Sequence, residues 1–143
     1  MVLPDVNILI YAFRAESPFH AQCSAWLRRT VEGEAPFGLS TLTLSAVARV
    51  TTNARTFSQP SPLQDVFAYC QALIDQPNCR LVEPGGRHWS IFERLCRESN
   101  VTGPMVTDAW FAALAIEQGC EWITLDRDFG RFSGLRWRSP EAA

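Results

Sequence analysis

The chain has 143 residues, 47% of them hydrophobic, and a formal net charge of −2. Such a length suits one domain, residues 1–143, with one core; the composition excludes disorder, and the near-neutral balance excludes a polycation built to coat nucleic acid. No apolar run reaches the ~18 residues that span a bilayer, and the start lacks the basic segment and cleavage site of a secretory signal, so no membrane contact and a cytoplasmic location are expected.

Met1 to Asp5 reads as a very short strand ending in an acid, and Asn7 to Phe13 as an apolar, buried helical segment. Ser17 with Pro18 supplies a cap and a first-turn proline for a helix through Ala21, Trp26 and Leu27 to Gly33. Pro36 to Ser40 is a weak second strand. Thr41 or Thr43 then opens a helix whose apolar stripe is Leu44, Val47 and Val50, with Arg49 off that stripe. A polar loop from Ala54 to Pro60 leads to Ser61-Pro62-Leu63-Gln64, a capping-box start for a helix to Gln76 with Phe67, Leu73 and Ile74 on its buried side. Cys79 to Glu83 makes a third strand, broken by Pro84-Gly85-Gly86, before an amphipathic helix marked by Trp89, Phe92, Leu95 and Cys96. Thr107 caps the next helix, which puts Asp108 in its first turn; Phe111, Leu114 and Ala115 recur at helical spacing until Gly119 stops it. Trp122 to Leu125 is a fourth, buried strand, Asp126 falls at its end, and Phe132, Leu135, Trp137 and Pro140 close the chain. This alternation of strands and helices specifies an α/β fold on a parallel sheet.

Five cysteines at wide spacings, without a Cys-x-x-Cys pair, fit neither a disulfide framework nor a zinc site, and read as buried apolar fillers. His20 and His88 stand outside any His-Glu-x-x-His pattern. All 13 basic residues are Arg, so Lys-dependent phosphate loops and Schiff-base chemistry are excluded. Four of the five tryptophans, Trp89, Trp110, Trp122 and Trp137, suit a core or a dimer interface better than stacking platforms.

Asp5 follows the first strand, Asp108 begins the helix before the fourth, and Asp126 and Asp128 follow that fourth strand. Each has an ordinary structural role open to it, as a helix-end charge or a turn residue. If the first and fourth strands are neighbours, however, the acids converge on the rim of the sheet where α/β ligands bind. Clustered carboxylates raise one another's pKa, and a hard divalent cation relieves them; oxygen-only donors favour Mg²⁺ or Mn²⁺ over zinc. Pairs of such ions, about 3.5 to 4 Å apart, clamp the attacking and leaving oxygens in phosphodiester hydrolysis.

Four segments, Leu3 to Leu9, Leu42 to Asn53, Val106 to Ala109 and Thr124 to Phe129, together resemble the PIN-domain ribonucleases of the VapC toxin family over essentially the whole chain. The resemblance implies a parallel sheet of four or five strands between helices and a Mg²⁺- or Mn²⁺-dependent endoribonuclease leaving 5′-phosphate and 3′-hydroxyl ends. It also implies a homodimer and a small VapB-like antitoxin. Carried over residue by residue, Asp5, Asp108 and Asp126 match the catalytic, metal-binding acids, and Asp128 an accessory acid. Asn7 and Thr124 match polar positions near the site, each with a structural alternative as helix cap or strand hydroxyl. Arg49 and Arg127, with Arg131, could meet the RNA backbone or acidic groups of the antitoxin. The family usually has Glu where this chain has Ala46, which makes a single ion plausible and leaves a competing reading: a non-catalytic module that binds RNA or antitoxin.

Overall fold

The computed structural model describes residues 1–141; the last two residues of the expected 1–143 domain lie outside the described residues. Five strands form one parallel sheet: β1 Val2–Pro4, β2 Phe37–Leu39, β3 Cys79–Leu81, β4 Glu121–Ile123 and β5 Trp137–Arg138, in the order β3-β2-β1-β4-β5. β1 is therefore central. It pairs with β4 through Val2–Glu121, Leu3–Trp122 and Pro4–Ile123, so the strands that deliver Asp5 and Asp126 are neighbours. The strand order reverses at β1, which makes the carboxyl end of the β1–β4 pair a topological switch point.

Strand side chains alternate between the two faces and so build two cores. On one face Phe37, Leu39 and Ile123 pack with α1 (Val6–Phe13), α2 (His20–Glu32), α3 (Thr41–Thr51) and α4 (Leu63–Ile74), where Ile8, Trp26, Val47 and Val66 fill the interior. On the other face Leu3 and Trp122 pack under α5 (His88–Ser99) and α6 (Pro104–Glu117) with Phe111, Leu114 and Phe129. Gly38 lets these layers close: a Cβ there would stand 2.6 Å from Val82 Cγ2. Cys23, Cys70 and Cys120 are buried, Cys79 and Cys96 half-buried, and all five are free thiols.

The structure corrects several expected boundaries. α6 starts at Pro104, so Thr107 is inside it and Asp108 stands one turn in from the end. The proline fills the first helical position, where its missing N–H is no loss, and Gly103 turns the chain at φ 61°. Ser61 makes no capping box: its Oγ accepts from Arg14 Nη1 at 2.8 Å, and α4 begins on Pro62 without a side-chain cap. Phe67, expected inside, is 56% exposed, because the buried side of α4 is Val66, Cys70 and Leu73. α2 starts at His20, two residues past Pro18, while Ser17 Oγ caps the preceding turn by accepting from Phe19 N–H at 3.1 Å. β4 ends at Ile123, two residues short of the expected Leu125, and a two-residue β5 extends the sheet to five strands. Among the described residues no helix is long and apolar enough to cross a membrane.

Candidate active site

Asp5 is the hinge between β1 and α1. Its extended backbone (φ −71°, ψ 161°) makes it the N-cap, and its Oδ1 accepts the Val6 N–H at 2.6 Å. Its other oxygen accepts the Thr124 hydroxyl proton at 2.7 Å. Thr124 is completely buried and its Oγ1 also accepts from Asp126 N–H at 3.0 Å and from Asn7 Nδ2 at 3.5 Å. One hydroxyl thus ties the end of β1, the first turn of α1 and the turn after β4 together. Asp126 then opens a short 3-10 helix, Arg127–Arg131, by accepting the Asp128 N–H on Oδ1 at 2.9 Å.

Asp5, Asn7, Asp108 and Asp126 line one cavity of about 460 Å³. α3 forms its opposite wall through Leu42, Ser45, Ala46 and Arg49, of which none is acidic. Asp5 is only 8% exposed, and burial pushes its carboxyl up to about pH 6 despite the hydrogen bonds from Thr124 and Val6; the charges of Asp108 and Asp126 push the same way. Asp108 is raised as well, first by burial and then by Asp126, with Arg131 opposing.

The remaining expected site residues fall outside this cavity. Asp128 is exposed and faces Arg131 at 4.0 Å. Thr124 is fully buried and does not line the acid cavity; its hydrogen bonds make it a strut for Asp5 and Asp126. Arg127 opens into a neighbouring cavity. Arg131, expected to meet RNA or antitoxin, donates its guanidinium instead to Asp128 O and Met105 Sδ at 3.1 and 3.0 Å and acts on Asp108. The Asp128–Arg131 spacing of three was the available signal.

The donor set suits a hard divalent cation. Three carboxylates share the cavity, burial and then the neighbouring acids make two of them bind protons more tightly than usual, and Asn7 Oδ1 is buried without a partner. As the side chains stand, no three His, Cys or acidic residues among the described residues form a ready-made metal group. Asp5 and Asp126 are turned to their own N–H and hydroxyl donors, as uncompensated like charges are expected to be.

The sequence profile of the PIN domain family matches residues 2–135. The chain is 39% identical over 140 residues to a VapC ribonuclease of Mycobacterium bovis, covering 98% of this chain and 95% of that one. It is 38% identical over 140 residues to ribonuclease VapC25 of Mycobacterium tuberculosis, covering 98% and 99%. Among solved structures, VapBC2 of Rickettsia felis bound to a promoter DNA fragment has a similar fold, with a TM-score of 0.72 at 14% identity over 99% of this chain and 100% of that one. VapC20 of Mycobacterium tuberculosis, a toxin that cleaves the sarcin-ricin loop, follows at a TM-score of 0.64 and 16% identity over 95% of this chain and 99% of that one.

Proposed function

Because the chain belongs to the PIN domain family, in its VapC ribonuclease branch, we propose that it is a divalent-metal-dependent endoribonuclease and the toxin of a toxin–antitoxin pair. The observation that carries this reading is the meeting of Asp5, Asp108 and Asp126 in one cavity at the switch point of a parallel sheet. These three carboxylates would hold one Mg²⁺ or Mn²⁺, with Asn7 Oδ1 as a further oxygen donor. The chemistry such an ion would supply is Lewis-acid polarisation of a phosphoryl oxygen and a lowered pKa for water.

The protein's own groups do the rest. Thr124 holds the Asp5 carboxylate by its hydroxyl and the Asp126 backbone by its oxygen, so the first and last acids keep a fixed relation. Arg49, on the α3 wall, supplies a cation where an RNA phosphate would enter. Asp128 sits outside the cavity and would act on the site only through its charge and its contact with Arg131.

A small VapB-like antitoxin is the proposed partner, in keeping with a similarly folded solved structure that is a toxin–antitoxin complex from Klebsiella pneumoniae. The surface offers it uncovered apolar side chains: Leu63 and Phe67 on one face of α4, 51% and 56% exposed, and Leu42 on α3, 43% exposed. A homodimer is proposed as the assembly, with Trp89, 68% exposed, as its most conspicuous uncovered aromatic.

One feature favours the competing reading of a binding module without cleavage: the α3 wall, with Ala46, brings no fourth acid to the cavity. The deciding experiment treats total cellular RNA with purified protein in Mg²⁺, Mn²⁺ or EDTA, beside an Asp108→Asn variant. Discrete fragments that need the ion and vanish in the variant are expected. Folded, antitoxin-free protein that leaves RNA intact with either ion would overturn the enzyme reading in favour of the module.

A further inference from the structure

A second cavity, of about 610 Å³, opens beside the acid cavity at the carboxyl ends of β4 and β5. The segment Thr124–Arg127 divides the two: Asp126 lines the acid side, whereas Thr124, Leu125 and Arg127 line the other. Across from them stand Phe19 and Gln22 at the start of α2.

The two cavities have opposite character. No residue lining the second is acidic. Of its two arginines, Arg138 is committed to Glu121 at 2.9 Å and Glu141 at 3.6 Å, but Arg127 is exposed and makes no hydrogen bond or ion pair among the described residues. α2 begins on Phe19 without a side-chain cap, which leaves first-turn N–H groups for an outside acceptor. Phe19 is 42% exposed, with its ring held 5.2 Å from that of Tyr11. Gln22 gives its Nε2 to the Pro140 carbonyl at 2.6 Å, so its amide is fixed and its oxygen is a remaining acceptor.

An unpaired cation, uncapped helix N–H groups, an exposed aromatic ring and an anchored amide are the groups that recognise a nucleotide: phosphate, base face and base edge. The volume lies within the ~300 to 1,000 Å³ of ordinary ligand clefts. Because the partition is only a few residues thick and carries Asp126, a chain lying in both cavities would place adjacent nucleotides on either side of it. We infer that this cavity is the subsite for an unpaired RNA nucleotide flanking the scissile phosphate, with Arg127 on its phosphate and Phe19 on its base. The inference rests on the ribonuclease reading above and names where that enzyme would select its sequence.

The test uses the Asp108→Asn chain, silenced for cleavage and labelled with ¹⁵N, titrated with a single-stranded RNA oligonucleotide. Trp137 lines the cavity, so its indole N–H resonance, assigned through Trp137→Phe, reports occupancy. RNA should shift that resonance. In the same background Arg127→Gln should weaken binding about tenfold and flatten the slope of log K against log salt by about 0.7, the share of one phosphate contact. Phe19→Ala should weaken binding by a similar factor without changing that slope. In the otherwise native chain both substitutions should redistribute the positions cut in total RNA.

A native chain that cleaves, beside variants with unchanged affinity, salt slope and cut positions, would overturn the subsite while leaving the nuclease standing. A native chain that does not cleave would count against the nuclease alone. The Trp137 resonance would still decide the cavity: unmoved at saturating RNA it overturns the subsite, and moved in an Arg127-dependent way it supports it.

Discussion

Thr124 carries no charge and touches no solvent, yet its hydroxyl is donor to Asp5 and acceptor for the Asp126 N–H. Thr124→Val keeps the volume and removes both bonds, leaving a buried N–H unsatisfied, which costs about 1 to 3 kcal/mol. The expected outcome in urea titrations is that loss, with turnover lowered more than RNA affinity; Thr124→Ser should restore both. Asp5 makes a second, pH-dependent contribution. Its carboxyl keeps a proton to about pH 6 in the folded chain, against an ordinary value of 3.8, so between those two values the folded state binds more protons than the unfolded. Stability from this group is therefore greatest below pH 4 and is lost as pH rises to 6, by about 3 kcal/mol at ~1.4 kcal/mol for each pH unit. In EDTA, the urea midpoint of the native chain should fall across that interval relative to that of Asp5→Asn. At pH 7 Mn²⁺ should raise the native midpoint and leave that of Asp5→Asn nearly unmoved. Equal pH profiles for the two chains would remove Asp5 from this account.

Helix ends and short strands mark the limit of what periodicity reveals. The apolar stripe of α6 was legible, but Thr107 resembles a cap, and the true start depends on Gly103 and Pro104, whose signal is local backbone geometry. Ser61 carried a capping pattern that Arg14 outcompetes across 47 residues, a contact no local reading contains. β5 has only two residues and exists through its pairing with β4, so propensity had nothing to sum. The site itself was more readable. Asp5 and Asp126 follow apolar strand runs, and a parallel α/β alternation places such ends on one rim. The burial of Thr124 and the separate cavity of Arg127 depend on which way a turn faces, and spacing does not encode that. The Gly119 stop was visible and has a full structural cause: at φ +67° its N–H bonds Ile116 O at 3.2 Å, and Cys120 N–H reaches Ala115 O at 2.8 Å. No atom lies within 4 Å of a Cβ built there, so Gly119→Ala should cost about 1 kcal/mol through backbone strain alone. Gly86→Ala, equally open but without positive φ, is the control and should be neutral or slightly stabilising in the same denaturation series.

At the scale of the molecule, the uncovered apolar side chains Leu63, Phe67 and Trp89 lie outside both cores, so their truncation should alter assembly and not folding. Light scattering should give the native protein about twice the 16.1 kDa of one chain. Trp89→Ser should shift that mass toward the single chain with thermal stability measured at low concentration within about 0.5 kcal/mol of native. A single-chain mass for the native protein would refute the dimer. The central position of β1 has a further consequence, for the time at which the protein becomes dangerous. The strand bearing Asp5 is made long before its partner β4 and the Asp126 behind it. Loop closure over that span must precede any meeting of the acids. A ribosome translating this message therefore carries a growing chain with its first acid in place and no complete site. The topology acts as a delay, so that an enzyme aimed at RNA is assembled only after the whole span from β1 to the turn behind β4 has been translated.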